Sequence, residues 1–314
     1  MKLVRGFFLL AAVLVVMSGG TVFAETMIAH YEFNETVGTI DNFVDSSGNG
    51  HTLIQHRDGG GTVVYDAELD SNVLYNPNGS GYMMDPGTAG SLDFAAGTSF
   101  TLAGWFKQTG RDHAYSLTTS DSLYTYAIHL GTNGSEPICS LGFLDDGTIV
   151  SYVETDYGDA VGNSNLDQIT ITSASPALAL DTNGAFDGWH HVALVLDRSV
   201  DKVSMYLDGV ELDTVVLDQE SPVATHTDGD ISHLSDSYGF SFDTGTSTSQ
   251  EGGVAGYYND PDRDWIGYLD DVRFCEGALS ASQVAELAGV QVPEPGTILL
   301  ILSGALGLLF LRRK

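Results

Sequence analysis

The sequence predicts an all-β fold, two antiparallel sheets packed as a sandwich, with one short helix near its C-terminal end. Three observations carry this reading. Apolar residues recur with a period of two through most of residues 25 to 291, Asp-Gly pairs stand between β-rich runs, and 37 glycines break up the 314-residue chain. No long amphipathic helical pattern interrupts them.

Thr101-Leu102-Ala103-Gly104-Trp105-Phe106 alternates large and small residues, as a strand does. His191-Val192-Ala193-Leu194-Val195-Leu196 is a continuous apolar run, suited to a strand covered on both faces. Val203, Met205 and Leu207 then alternate with Ser204 and Tyr206, and Asp208-Gly209 follows at once. Asp-Gly favours a two-residue type I′ hairpin, because that turn needs positive φ at both central positions. Asp146-Gly147 repeats the device between Cys139–Phe143 and Ile149–Val153. Near the end Ser280-Ala281-Ser282-Gln283 fits a capping box, opening a short helix with Val284, Leu287 and Ala288 on one face. Asp156 to Asp187 and Asp218 to Asp264 read as long loops or insertions, where binding surfaces commonly lie.

The two ends read as addresses rather than fold. Lys2 and Arg5 precede an apolar stretch from Phe7 to Met17, and Val22-Phe23-Ala24 is a small-x-small pattern that signal peptidase accepts. The mature chain is expected to start at Glu25, after a signal peptide of residues 1–24. At the other end Val292-Pro293-Glu294-Pro295 leads into an apolar run from Gly296 to Leu311 and a basic tail, Arg312-Arg313-Lys314. Sixteen residues of helix span roughly 24 Å, short against a hydrocarbon core of about 30 Å. The basic tail would stay on the cytoplasmic side. Residues 292–314 resemble the PEP-CTERM sorting signal of exported bacterial proteins, with Pro293, Glu294 and Pro295 as its motif. The resemblance implies an exosortase-type protease as partner, a transient stay in the inner membrane through the C-terminal helix, and delivery to the cell surface or extracellular matrix. A plain membrane anchor is the alternative, and it too predicts export.

Residues 25–291 keep seven basic residues against 41 acidic ones, a net charge of 34 negative. That balance excludes nucleic acid and anionic lipid as expected partners and favours solubility or cation binding. Cys139 and Cys275 fall in a compartment that permits oxidation, so either a disulfide or two buried thiols is expected.

Four blocks then carry a resemblance across about residues 28 to 288: His30-Tyr31-Glu32-Phe33 with Val44-Asp45-Ser46-Ser47-Gly48-Asn49-Gly50; Phe100 to Phe106; Gly188-Trp189-His190-His191-Val192-Ala193 through to Met205-Tyr206-Leu207-Asp208-Gly209; and Gly267-Tyr268-Leu269-Asp270-Asp271-Val272-Arg273 with Ala278-Leu279-Ser280. Together they are similar to the LamG-like jellyroll family of the concanavalin A-like superfold. The resemblance implies a two-sheet antiparallel jellyroll for residues 25–291, and Cys275 departs from the aromatic common there. Trp189 reads as a core anchor. His190 and His191 point to opposite faces of one strand and cannot jointly grip one ion. The Asp45 loop offers a carboxylate and several carbonyls, the oxygen-only mixture that Ca²⁺ takes. In the family this loop and the acidic pair of the last strand approach one another, which implies a structural Ca²⁺ on Asp45, a carbonyl around Asn49, and Asp270 or Asp271. The other reading of the loop is an Asx turn.

No catalytic pattern emerges. The superfold's hydrolases carry Glu-x-Asp-x-x-Glu on one strand, and Glu211-Leu212-Asp213 and Glu68-Leu69-Asp70 each lack the second glutamate. There is no Gly-x-Ser-x-Gly elbow, zinc helix or phosphate loop. The expectation is a non-catalytic module that binds carbohydrate or supports an extracellular polysaccharide matrix, with Tyr257, Tyr258 or Trp265 as the sugar-stacking ring. Those aromatics read equally as core or loop anchors. A protein-binding adhesion or scaffold module is the alternative, and a glycoside hydrolase with an atypical site the third.

Overall fold

The computed structural model describes residues 26–55, 61–77, 82–84, 99–110, 124–133, 136–144, 146–155, 167–173, 177–181, 185–197, 199–200, 202–216, 253–254 and 265–290. The expected signal peptide, Tyr257, Tyr258 and the motif Pro293-Glu294-Pro295 lie outside them. Glu25–Val292 forms a compact unit by itself. Among the described residues no helix is long and apolar enough to cross a membrane.

Those residues form seventeen strands and one helix. The strands are β1 (Thr26–Tyr31), β2 (Gly38–Thr39), β3 (Asn42–Phe43), β4 (Leu53–Gln55), β5 (Thr62–Asp66), β6 (Ser71–Asn76), β7 (Tyr82–Met84), β8 (Phe100–Gln108) and β9 (Tyr124–Asn133). They continue as β10 (Glu136–Leu144), β11 (Ile149–Thr155), β12 (Asp167–Thr172), β13 (His190–Asp197), β14 (Lys202–Leu207), β15 (Val210–Val216), β16 (Gly253–Val254) and β17 (Gly267–Glu276), before helix α1 (Ala281–Leu287). One sheet runs β15-β14-β13-β8-β17-β6-β5-β2, with β1 also paired to β17; the other runs β12-β11-β10-β9-β16-β7-β4-β3. Neighbours are antiparallel throughout, as the expected architecture requires.

The two sheets meet across one core. Leu102, Phe106, Val192, Leu194 and Leu269 of the first sheet and Ile128, Leu141, Phe143 and Ile149 of the second belong to a single buried cluster. Trp265 sits in it with no exposed surface, its ring 5.9 Å from Phe106, 5.1 Å from Phe143 and 5.7 Å from Phe186. It is therefore a core residue and not a sugar platform, since no face of its indole reaches solvent.

The unbroken apolar run of β13 has a local cause. Val192, Leu194 and Leu196 face the core, while Ala193 and Val195 face outward beneath α1, in a second cluster with Ala103, Tyr206, Leu279 and Val284. The helix starts as the capping box requires: the Ser280 hydroxyl accepts from the Gln283 N–H, and the Gln283 side chain accepts from the Ser280 N–H.

Asp208-Gly209 makes the expected two-residue hairpin, with φ of 49° and 78°. Asp146-Gly147 does not. Phe143 pairs with Ile149, so the loop is longer, and of the two only Gly147 has positive φ, at 86°. Asp146 instead uses its carboxylate to accept the Thr148 N–H. The carbonyl of Gly147 accepts from Ala177 and Leu178, and a Cβ there would lie 2.2 Å from the Leu178 carbonyl oxygen.

Cys139 and Cys275 are both buried thiols and are not joined. Cys139 belongs to the inner core cluster. Cys275 follows the core-facing Phe274, so alternation turns it to the outer face, where its Sγ lies 3.8 Å from Met27 Sδ. A layer of sheet between them forbids the bridge.

Candidate functional site

Strand β17 changes partners halfway along one edge. Gly267, Tyr268 and Leu269 pair with β6, whereas Val272 to Glu276 pair with β1. Asp270 and Asp271 fall at the handover. On the opposite edge Asp270 faces Trp105 and Arg273 faces Ala103, so Asp271 and Val272 together oppose the single residue Gly104. This is a β-bulge, with Asp271 at φ 50°. A Cβ on Gly104 would come within 3.0 Å of the Phe106 ring and 3.1 Å of Val272, so the bulge closes over a glycine.

Where β1 and β6 part, the outer face of the first sheet holds a cleft of about 250 Å³. Glu32 and Asn34 come from the chain leaving β1, Leu69 from the β5–β6 turn, Ser71 from the start of β6, and Trp105, Asp270 and Asp271 from the sheet beneath. The arrangement supplies one half-buried indole, three carboxyl groups, an amide and a hydroxyl around an open volume. Ser71 Oγ donates to the Asn72 carbonyl at 3.0 Å and faces Asn34 Oδ1 at 3.5 Å.

The carboxyl groups differ sharply. Asp271 receives the His30 ring and both Nε and a terminal nitrogen of Arg273, the latter two at 3.0 and 2.9 Å. Burial opposes its ionisation, yet His30 and Arg273 outweigh that and hold its pKa below the usual carboxylate value. Asp270 is 7% exposed and accepts the Asp271 N–H at 2.9 Å. Burial first, then the charges of Asp271 and Glu32, push its pKa up to about 7. Glu32 is exposed, and one of its oxygens accepts from Ser46 Oγ at 3.2 Å.

Behind Trp105 the His191 ring packs edge-on at 5.4 Å, 1% exposed, with no hydrogen-bond partner for Nδ1. Its burial pulls the pKa down to about 4, so it is neutral at ordinary pH. His190 points the other way, as alternation requires, its two ring nitrogens 3.0 Å from Asp208 and from Asp187. Those hydrogen bonds outweigh burial and raise its pKa. Trp189 is buried, but not in the inner core. It lies on the outer face beside Tyr268 at 6.1 Å, with Lys107 Nζ 5.8 Å from its ring, and Tyr268 stacks on Tyr75 at 4.5 Å.

The expected calcium ligands do not share a centre. Asp45 accepts from the backbone N–H of His30 and Ser47 at 2.9 Å, the Ser47 hydroxyl at 2.8 Å and the His51 N–H at 3.0 Å. Both of its oxygens are thus engaged by the loop itself, and although burial opposes its charge, these donors keep its pKa low. Asn49 spends its side-chain amide on the carbonyls of Met27 and Ile28. His30 stands between the two acids, backbone toward Asp45 and ring toward Asp271. Among the described residues no group of three or more His, Cys, Asp or Glu is placed to hold a metal. The loop forms the Asx turn of the second reading, with the Ser47 N–H on the Asp45 carboxylate.

Sequence reasoning reached Asp270 and Asp271 but missed Glu32, Asn34, Ser71 and Trp105 as their companions. Trp105 alternates with core-facing Phe106, which signals an outward ring; the partner strands that surround it are set by long-range register.

Comparison with known proteins gives a sorting signal and a fold. A family model described as the PEP-CTERM protein-sorting motif matches residues 291–314. No curated protein matches the chain. Among solved structures, the binding domain of Paraclostridial Mosquitocidal Protein 1 is similar at 14% identity and TM-score 0.52, over 84% of this chain and 52% of that one. The receptor binding domain of botulinum neurotoxin type G has 14% identity and TM-score 0.48, over 85% and 51%. Domain 4 of AbnA, a GH43 extracellular arabinanase from Geobacillus stearothermophilus in complex with arabinotriose, has 19% identity and TM-score 0.46, over 84% and 98%. The chain spans about half the length of the two toxin domains. The C-terminal motif marks an exported protein that is processed at the membrane.

Proposed function

We propose that this protein is a surface or matrix component whose LamG-like sandwich binds carbohydrate at the β17 bulge without turning it over. The observation that carries the reading is the cleft itself. A half-buried indole beside carboxylate, amide and hydroxyl groups suits a ring with an apolar face and a polar edge. The volume, just below the range of about 300–1,000 Å³ typical for drug-sized ligands, matches one sugar unit. Export past a sorting protease delivers the module to where polysaccharide is met. Screening the Glu25–Val292 fragment on a glycan array tests this. Binding that Trp105→Ala removes is the expected result, and binding untouched by that change would assign the ligand elsewhere. Mass spectrometry of the native protein is expected to show a chain beginning at Glu25 and ending near Pro293-Glu294-Pro295; a chain ending at Lys314 would mean a retained anchor.

One observation favours a second reading, a hydrolase with an unfamiliar site: adjacent carboxyl groups with pKa values pushed apart resemble an acid and its charged companion. Against it, Asp271 is held by His30 and Arg273 and little of Asp270 is exposed. Reducing-sugar release abolished by Asp270→Asn would establish it.

A further inference from the structure

We infer that the cleft selects a sugar bearing a free ammonium group, an amino sugar without its acetyl cap, over neutral or acidic sugars. The inference rests on the carbohydrate reading above and adds the chemical class of the ligand. Among the described residues the basic side chains near the site are already committed: Arg273 and the His30 ring to Asp271, and Lys107 on the neighbouring strand to Glu68 at 2.8 Å. The acids are not matched in the same way. Among the described residues, Asp270 takes the Asp271 N–H and a hydrogen bond from Ser71, Glu32 takes the Ser46 hydroxyl, and neither meets a cation. Both line a cavity of about 250 Å³ with the Trp105 ring on its wall. An ammonium group there has two carboxyl acceptors and an aromatic face, the combination that attracts cations through charge and ring quadrupole together. A carboxylate or sulfate sugar would meet like charge with no donor to offset it. A neutral sugar would stack but leave the acids without a counter-charge.

The probes are the glucosamine tetramer and its fully N-acetylated counterpart, titrated calorimetrically into the folded Glu25–Val292 fragment. The deacetylated tetramer is expected to bind at least tenfold more tightly. Glu32→Gln, at an exposed position that leaves the fold intact, and Asp270→Asn should each bring that ratio toward one. Glu286→Gln, on the exposed side of α1, should leave it unchanged. An equal fall for Glu286→Gln would show attraction to the acidic surface at large and overturn the inference. So would equal or tighter binding of the acetylated tetramer; if Trp105→Ala then removes that binding, the carbohydrate reading survives and only the ammonium selectivity fails. Binding of neither tetramer, with a positive glycan array for another sugar, rejects the selectivity alone; with an array blank for all sugars, it rejects both.

Discussion

Asp45 shows how one short side chain organises a loop. Its carboxylate gathers three backbone N–H groups and a hydroxyl, so truncation would strand the backbone donors, while the Ser47 hydroxyl keeps the Ile28 carbonyl. Asp45→Ala is expected to cost about 2–4 kcal/mol, given a penalty of about 1–3 kcal/mol for each stranded buried group, measured by urea unfolding. The melting temperature of the parent protein should be the same in chelator and in millimolar Ca²⁺. Asp270 acts in the opposite sense. Its folded pKa of about 7 lies above the ordinary carboxyl value near about 4. Between those values the native chain holds a proton that the unfolded chain has lost. Its contribution is therefore complete below pH of about 4 and fades as pH rises to about 7. Asp270→Asn, which keeps an acceptor for the Asp271 N–H, should match the parent at pH 4 and exceed it at pH 8 by on the order of a few kcal/mol. A constant difference across that range would mean that Asp270 is ionised throughout.

At the scale of elements, the hairpin β14–β15 and helix α1 hold each other. Gly209 has φ 78°, and a Cβ there would lie 2.9 Å from the Ala285 Cα. Gly209→Ala therefore combines backbone strain with a clash against helix backbone, and is expected to cost about 1–3 kcal/mol in denaturant unfolding. Much at this scale was legible in the residues: the alternation of β14, the Asp208-Gly209 turn and the Ser280 capping box all form as their local chemistry dictates. Asp146-Gly147 was misread because the Gly147 carbonyl is claimed by Ala177 and Leu178, a segment some thirty residues on. The cleft was not legible for the same reason. Asp270 and Asp271 announce themselves, but the bulge that separates β1 from β6 depends on Gly104 lying opposite them, which no local pattern encodes.

For the molecule as a whole, the two thiols record the layering. Cys139 points into the space between sheets and Cys275 away from it, and burial raises the Cys139 pKa far above its ordinary value, to where it is unreactive. A thiol reagent should label neither in the native fragment and both in denaturant, and a reductant should leave the melting temperature unchanged. Labelling of neither in denaturant without reductant, or a reductant-sensitive melt, would place the sulfurs together after all. Trp265 belongs to this scale too. A tryptophan in a glycine- and aspartate-rich neighbourhood invites a surface role, and only the convergence of Phe106, Phe143 and Phe186 from three separate segments makes it core.

The split edge of β17 also bears on how the chain comes to exist. Strand β1 pairs with a segment 241 to 250 residues further on, from Tyr31 opposite Val272 to Thr26 opposite Glu276. Strand β1 is held by the Asp45 loop but has no strand partner until nearly the last strand arrives, so its docking in the sheet must wait for almost complete synthesis. A polypeptide kept open for so long is well matched to a route that threads it through a membrane before it folds.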